Sequence, residues 1–185
     1  VHYEYVSEVD FSRSPKWVKT DGGAEYTADS VIVATGATAK WLGLENEQRL
    51  RSGGVSACAV CDGYFYRGMD VAVVGGGDSA AEEATYLAKL CKKVYLLVRK
   101  DEMRASKVMQ KRVKANKNIL IHWHTETKEV LGEEEVEGVK VFNNQTGEES
   151  VIPVQGFFVA IGHKPNTDFL KGWLDMDDSG YLITK

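Results

Sequence analysis

Two cysteines stand two residues apart, Cys58 and Cys61, and a carboxylate, Asp62, follows the second at once. This spacing lets one disulfide close a small ring. In the reduced state it lets one thiolate attack a partner disulfide while the other resolves the mixed disulfide. Asp62 is placed to relay a proton to a leaving thiolate or to a partner's thiol. A purely structural disulfide is the competing reading. Zinc is disfavoured, because it would need two further ligands: there is no second close Cys pair, and His122 and His124 flank Trp123 at strand spacing.

Fourteen residues after Cys61 begins Gly75-Gly76-Gly77-Asp78-Ser79-Ala80. It follows an apolar run, Asp70 to Val74, and opens a stretch of helical periodicity, which is the context a dinucleotide-binding turn requires. Gly75 makes the tight turn, Gly77 lets a pyrophosphate reach the backbone, and the small Ala80 packs helix on strand. The helix N-terminus offers N–H groups to phosphate. Asp78 is the odd member: it can cap the helix, but it sets a negative charge near a pyrophosphate. An NAD site expects an acid at the end of the next strand, where this chain has Arg99, Lys100 and Arg104. These could surround a 2′-phosphate, Arg99 as a bidentate fork and Lys100 as a point charge. Asp101 and Glu102 lie among them, and a solvated basic loop is the plain alternative. A dithiol beside a nicotinamide site points to reducing equivalents passing from NADPH to a disulfide. Thiols take hydride poorly, so a flavin is expected between the two.

The elements that must position these groups follow from the hydrophobic pattern. Residues 1–37 alternate as short strands, with Trp17 to Thr20 turning through Asp21-Gly22-Gly23 into Glu25 to Thr27. Ser30 to Gly36 reads as a buried strand ending in small residues. Residues 38–57 read as a connector, with Ser52-Gly53-Gly54 as the preferred inter-domain hinge. Tyr64-Phe65-Tyr66 are expected in a core. A helix over 78–91 should face Ala80, Ala81, Ala84, Leu87, Ala88 and Cys91 inward, with Glu82, Glu83 and Lys89 outward. With strand 94–98 it completes a βαβ unit. A basic helix near 105–116, a strand at 119–121, antiparallel strands over 125–155, a buried strand at 156–162 and a short strand at 180–184 follow. The fold class is therefore α/β: a Rossmann-like parallel sheet with helices and an antiparallel meander, flanked by further strands.

At 43% hydrophobic and 27% charged, the chain of 185 residues has the composition of a globular protein with one sizeable core. The net charge of −4 gives no general attraction to nucleic acid or anionic lipid. Residues 89–117 are basic, but they carry little aromatic interleaving and no nucleic-acid motif. No apolar run reaches membrane-spanning length. Three cysteines with one close pair suit a catalytic dithiol in a reducing cytoplasm better than a secreted framework. The chain opens at Val1 directly on a strand-like pattern, so it reads as a piece of a longer protein.

Five stretches together resemble the low-molecular-weight thioredoxin reductase family: Ala34-Thr35-Gly36, Cys58 to Gly63, Gly75 to Ala84, Val98 to Ser106, and Ile161 to Thr167. The resemblance implies FAD, NADPH, thioredoxin as partner and a homodimer. It implies a nucleotide domain inserted into a split flavin domain, with 1–40 and 163–185 as flavin-domain parts around an NADPH domain at 41–162. It implies that Cys58 attacks thioredoxin, Cys61 faces the flavin and Asp62 is the acid–base group. Arg99, Lys100 and Arg104 would hold the 2′-phosphate, Thr35 and Gly36 would approach the flavin, and Gly162 would belong to the cofactor site. The chain departs from the family in having Val98-Arg99-Lys100 for His-Arg-Arg, and Asp78 where Asn is common. The family's N-terminal flavin fingerprint and C-terminal Gly-Asp motif would lie outside this sequence. An alternative parent is the flavoprotein subunit of an alkyl hydroperoxide reductase, and the chain alone could act only as an NADP(H)-binding module. A swing of the inserted domain about connectors near 38–57 and 162–167 is expected.

Overall fold

The computed structural model describes residues 1–184. The chain forms two compact units, one from residues 1–38 with the stretch from 163 onward, the other from residues 39–162. The first unit opens with β1 (Val6–Asp10), β2 (Lys16–Thr20) and β3 (Glu25–Ala28), an antiparallel sheet in the order β1-β2-β3. The Gly23 φ of +84° supplies the turn between β2 and β3, as the sequence predicts. Residues 1–5 are not strand, and Ser30 to Gly36 is not one either. Ile32 is 91% exposed. A strand buried on both faces needs a ladder on each side, and none is formed with this run by the described residues. Next comes β4 (Ala37–Ala39).

The second unit continues with α1 (Glu45–Arg49), β5 (Val55–Ser56), α2 (Ala59–Asp62), β6 (Asp70–Val74), α3 (Asp78–Leu87), β7 (Lys93–Leu97), α4 (Lys107–Ala115) and β8 (Ile119–His122). Three antiparallel strands follow, β9 (Thr125–Leu131), β10 (Gly138–Asn143) and β11 (Glu149–Ile152), and then β12 (Gly156–Val159). β13 (His163–Pro165) returns to the first unit and pairs with β4.

The central sheet runs β5-β12-β6-β7-β8, with every pairing parallel. Period-two alternation sends Val71 and Val73 to one face and Ala72 and Val74 to the other. The first face packs against α2, α3 and α4 through Ala80, Ala84, Leu87, Met109 and Val113. The second packs against the β9–β11 meander through Val130, Val139, Val141 and Ile152. Phe157 and Phe158, adjacent on β12, are fully buried, one in each core. The last strand of the unit thus locks both layers to the sheet. Among the described residues no helix is long and apolar enough to cross a membrane.

Three expectations are corrected. The Ser52-Gly53-Gly54 hinge lies inside the second unit and is held fast: Gly53 O accepts the Val136 N–H and Gly54 O accepts the Phe157 N–H, both at 2.8 Å. A Cβ on Gly53 would meet Glu134 backbone at 1.9 Å, so the glycines serve close approach rather than freedom. Tyr64 and Phe65 are 66% and 73% exposed; only Tyr66 turns in, edge-on to Phe158 at 5.4 Å. Glu83 is half-buried rather than outward: α2 packs over α3, and the Glu83 Oε2 is buried without a hydrogen-bond partner among the described residues.

Candidate functional site

Cys58 and Cys61 are joined as a disulfide, with Cα atoms 5.3 Å apart. Cys58 is the N-cap of α2, and its sulfur accepts the Cys61 N–H at 3.2 Å. Cys58 is half-buried and Cys61 exposed.

Asp62 ends the same short helix. Its Oδ2 accepts the hydroxyl of Ser56 at 2.6 Å, and the Ser56 Oγ accepts the Cys58 N–H at 3.0 Å. One buried hydroxyl therefore ties the carboxylate to the backbone of the first cysteine. Sequence reasoning passed over Ser56. The signal was present, since a Ser side chain that accepts the N–H two residues on is a recurring local motif. Beneath α2, burial pushes the Glu83 carboxyl up from 4.5 to about 7, opposed in part by the Ala59 backbone N–H. The third cysteine, Cys91, is buried as the sequence predicts, and burial raises its thiol to about 11.

The glycine turn sits at the C-terminal end of β6, where the strand order departs in both directions, to β7 and to β12. Such a switch point is where open α/β sheets leave a crevice for ligand. Gly75 has φ +148°, and a Cβ there would meet Ala160 O at 2.3 Å and the Ala80 side chain at 2.8 Å. Around the Cβ position of Gly77 there is no atom within 4 Å. The turn is thus closed on its inner side and open on the side from which a pyrophosphate would come, with α3 beginning at Asp78. The residues present fit a dinucleotide's diphosphate.

The basic loop is brought to this turn. Gly76 O accepts the Arg104 N–H at 2.7 Å and the Ala105 N–H at 3.1 Å, and Asp78 Oδ1 accepts the Ser106 N–H at 2.9 Å. Arg99, Lys100 and Arg104 are exposed, and none is in an ion pair among the described residues. The backbone beneath them is held by the turn between β8 and β9 and by the residue after β10: Lys100 O accepts the His124 N–H at 3.2 Å and Arg99 O the Asn144 side-chain amide at 3.0 Å. Ser79 is an exposed residue of the first turn of α3, and Gly162, φ +99°, closes the second unit by accepting the Lys40 N–H at 2.9 Å. Thr35 and Gly36 lie on the exposed, non-strand run of the first unit. That unit has no α-helix among the described residues, hence no helix N-terminus for a flavin diphosphate. By itself it does not fit that group.

The chain matches the pyridine nucleotide-disulphide oxidoreductase family over residues 2–185. It is 46% identical over 185 residues to a thioredoxin reductase of Rickettsia conorii, covering 98% of this chain and 60% of that protein. To a thioredoxin reductase of Streptomyces coelicolor it is 48% identical over 177 residues, covering 96% and 55%. The solved thioredoxin reductase of Giardia duodenalis superposes with a TM-score of 0.88 at 40% identity, over 97% of this chain and 59% of that one. The chain therefore spans about 60% of the length of the curated relatives it matches. A disulfide at a helix N-terminus, a glycine turn at a sheet switch point and agreement with the family from its second residue onward lead to one assignment: the chain belongs to the pyridine nucleotide-disulphide oxidoreductase family.

Proposed function

We propose that the second unit binds NADPH and carries the redox disulfide of an NADPH-dependent thioredoxin reductase, whose flavin is held by a protein of the relatives' length. The observation that carries this reading is that one compact unit holds both a glycine turn welded to an unpaired basic loop and a disulfide with its own carboxylate. The diphosphate lies along Gly75, Gly76, Gly77 and the start of α3 at Asp78, Ser79 and Ala80. The 2′-phosphate lies among Arg99, Lys100 and Arg104. Thr35, Gly36 and Gly162 belong to the cofactor surfaces that only the longer protein completes, and the first unit is part of its flavin domain.

Cys58 is the attacking thiolate. It forms a mixed disulfide with the partner's thioredoxin-type disulfide and displaces one partner thiolate. Asp62 relays a proton to that leaving group; Cys61 then passes its proton to Asp62, attacks the Cys58 sulfur and releases the second partner thiolate, which Asp62 protonates, restoring the Cys58–Cys61 bond. Ser56 holds Asp62 in place through both states. The protein acts as a homodimer in the cytoplasm. A second reading, an NADP(H)-binding module without turnover, is favoured for the chain in isolation by the lack of fit between the first unit and a flavin.

The test is NADPH-driven reduction of a disulfide dye, with thioredoxin added, by an FAD-loaded protein of full family length carrying these residues. Turnover that is lost in Cys58→Ser while NADPH binding persists supports the reading. No turnover with FAD demonstrably bound, or activity that survives Cys58→Ser, overturns it.

A further inference from the structure

Asp78 has no evident use in a diphosphate turn, yet the structure gives it one on another helix. Ser106 is the N-cap of α4, and its Oγ accepts the Met109 N–H at 3.4 Å. In a capping box the third helical residue reaches back to the N-cap's own N–H. Here that residue is Met109, whose thioether is only a weak acceptor. Asp78 supplies the missing acceptor from α3, taking the Ser106 N–H at 2.9 Å. The preceding residues are held as tightly. Arg104 and Ala105 donate their N–H groups to Gly76 O, while the Gln110 amide donates to Met103 O at 3.0 Å and to Ala105 O at 2.8 Å. Met103 and Ala105 are buried and Arg104 between them is exposed. With its backbone anchored and both neighbours turned inward, Arg104 has one side on which to lie.

We propose that Asp78 is a specificity-determining residue: by latching the N-terminus of α4 to the glycine turn it holds the Arg104 backbone beside that turn, so that one nucleotide can meet both with its diphosphate and its 2′-phosphate. This rests on the reading of Arg99, Lys100 and Arg104 as the 2′-phosphate subsite. Two parts of Asp78 are in play: its backbone, kept in every variant, belongs to the start of α3 at the diphosphate, while its carboxylate, taken by the Ser106 N–H, is a positioning group. Fixing the loop in advance lowers the ordering cost that Arg104 otherwise meets on binding. The benefit falls on NADPH alone, since NADH has no 2′-phosphate.

The experiment is calorimetric titration of the chain with NADPH and with NADH, in the wild type and in Asp78→Asn and Asp78→Ala. Asn keeps an acceptor for the Ser106 N–H and removes the charge, so the preference for NADPH over NADH is retained. Ala removes the latch, and NADPH affinity falls about tenfold with little change for NADH, the scale of one charge-assisted contact. Should Asp78→Ala not fold, Ser106→Pro removes the same N–H from the other side. The Ser106 φ of −55° suits proline, and Ser106→Ala controls for loss of the hydroxyl. Collapse of the preference in the proline variant but not in the alanine control supports the latch. Equal weakening of both nucleotides, or an unchanged ratio, overturns it. A wild type that binds neither nucleotide, or both alike, overturns the 2′-phosphate reading and this inference with it.

Discussion

Ser56 has a single hydroxyl proton, directed at Asp62, and its oxygen accepts the Cys58 N–H. Ser56→Ala therefore leaves both a carboxylate and a buried amide short of a partner. A loss of about 1–3 kcal/mol in urea denaturation is expected, with a changed alkylation rate of reduced Cys58. Unchanged stability and rates would remove Ser56 from the site. Glu83 makes a second prediction. Its carboxyl is raised from 4.5 to about 7 in the folded chain, so between these pH values the folded state holds more protons than the unfolded one. Stability then falls as pH rises through that window, and Glu83→Gln should flatten the slope by about 1–2 kcal/mol once solvent access to the half-buried side chain is allowed for. An equal slope in the variant would contradict it. The Cys58–Cys61 pair was legible because closing a small disulfide ring depends on local spacing. Glu83 was not, because only the packing of α2 over α3, remote in sequence from its own helical period, decides which way it faces.

At the scale of elements, β12 is the strand on which the site depends. It enters the sheet between β5 and β6, and its end places Ala160 O against the glycine turn. Phe158→Ala should cost about 3–5 kcal/mol by denaturation, and a cost below about 1 kcal/mol would show that the face toward α2 and α3 is not the close-packed core described. Gly75→Ala should remove nucleotide binding, since its Cβ would overlap Ala160 backbone at a φ that alanine rarely adopts. Retained binding would contradict the role given to the turn. The parallel strands and α3 were legible as apolar runs and helical periodicity. Ser30 to Gly36 shows the limit of that signal. Its composition suits a buried strand, but a strand forms only where a neighbour completes its ladder. Tyr64 and Phe65 are a second case: aromatic character predicts burial on average, while here a short helical turn beside the disulfide carries them outward.

The whole molecule is two units joined by two chain passages. The passages run side by side: β4 pairs with β13, and the Lys40 N–H meets Gly162 O. In the proposed function the dithiol and the nicotinamide belong to one unit and must take turns at a flavin, so an engineered crosslink between the units of the full-length protein should stop turnover and leave NADPH binding intact. Undiminished turnover in the crosslinked protein would refute the alternation. The sequence expectation put connectors near 38–57 and 162–167 and preferred Ser52-Gly53-Gly54 for bending; those glycines are instead packed inside the second unit, since glycine signals freedom and close approach alike, and only packing tells the two apart. The measurement that bears most directly on the account is a calorimetric titration of this chain with NADPH and NADH. Selective binding of NADPH is the predicted result. Equal affinity for the two, or binding of neither, would contradict a phosphate site built from Gly75 to Ala80 with Arg99, Lys100 and Arg104.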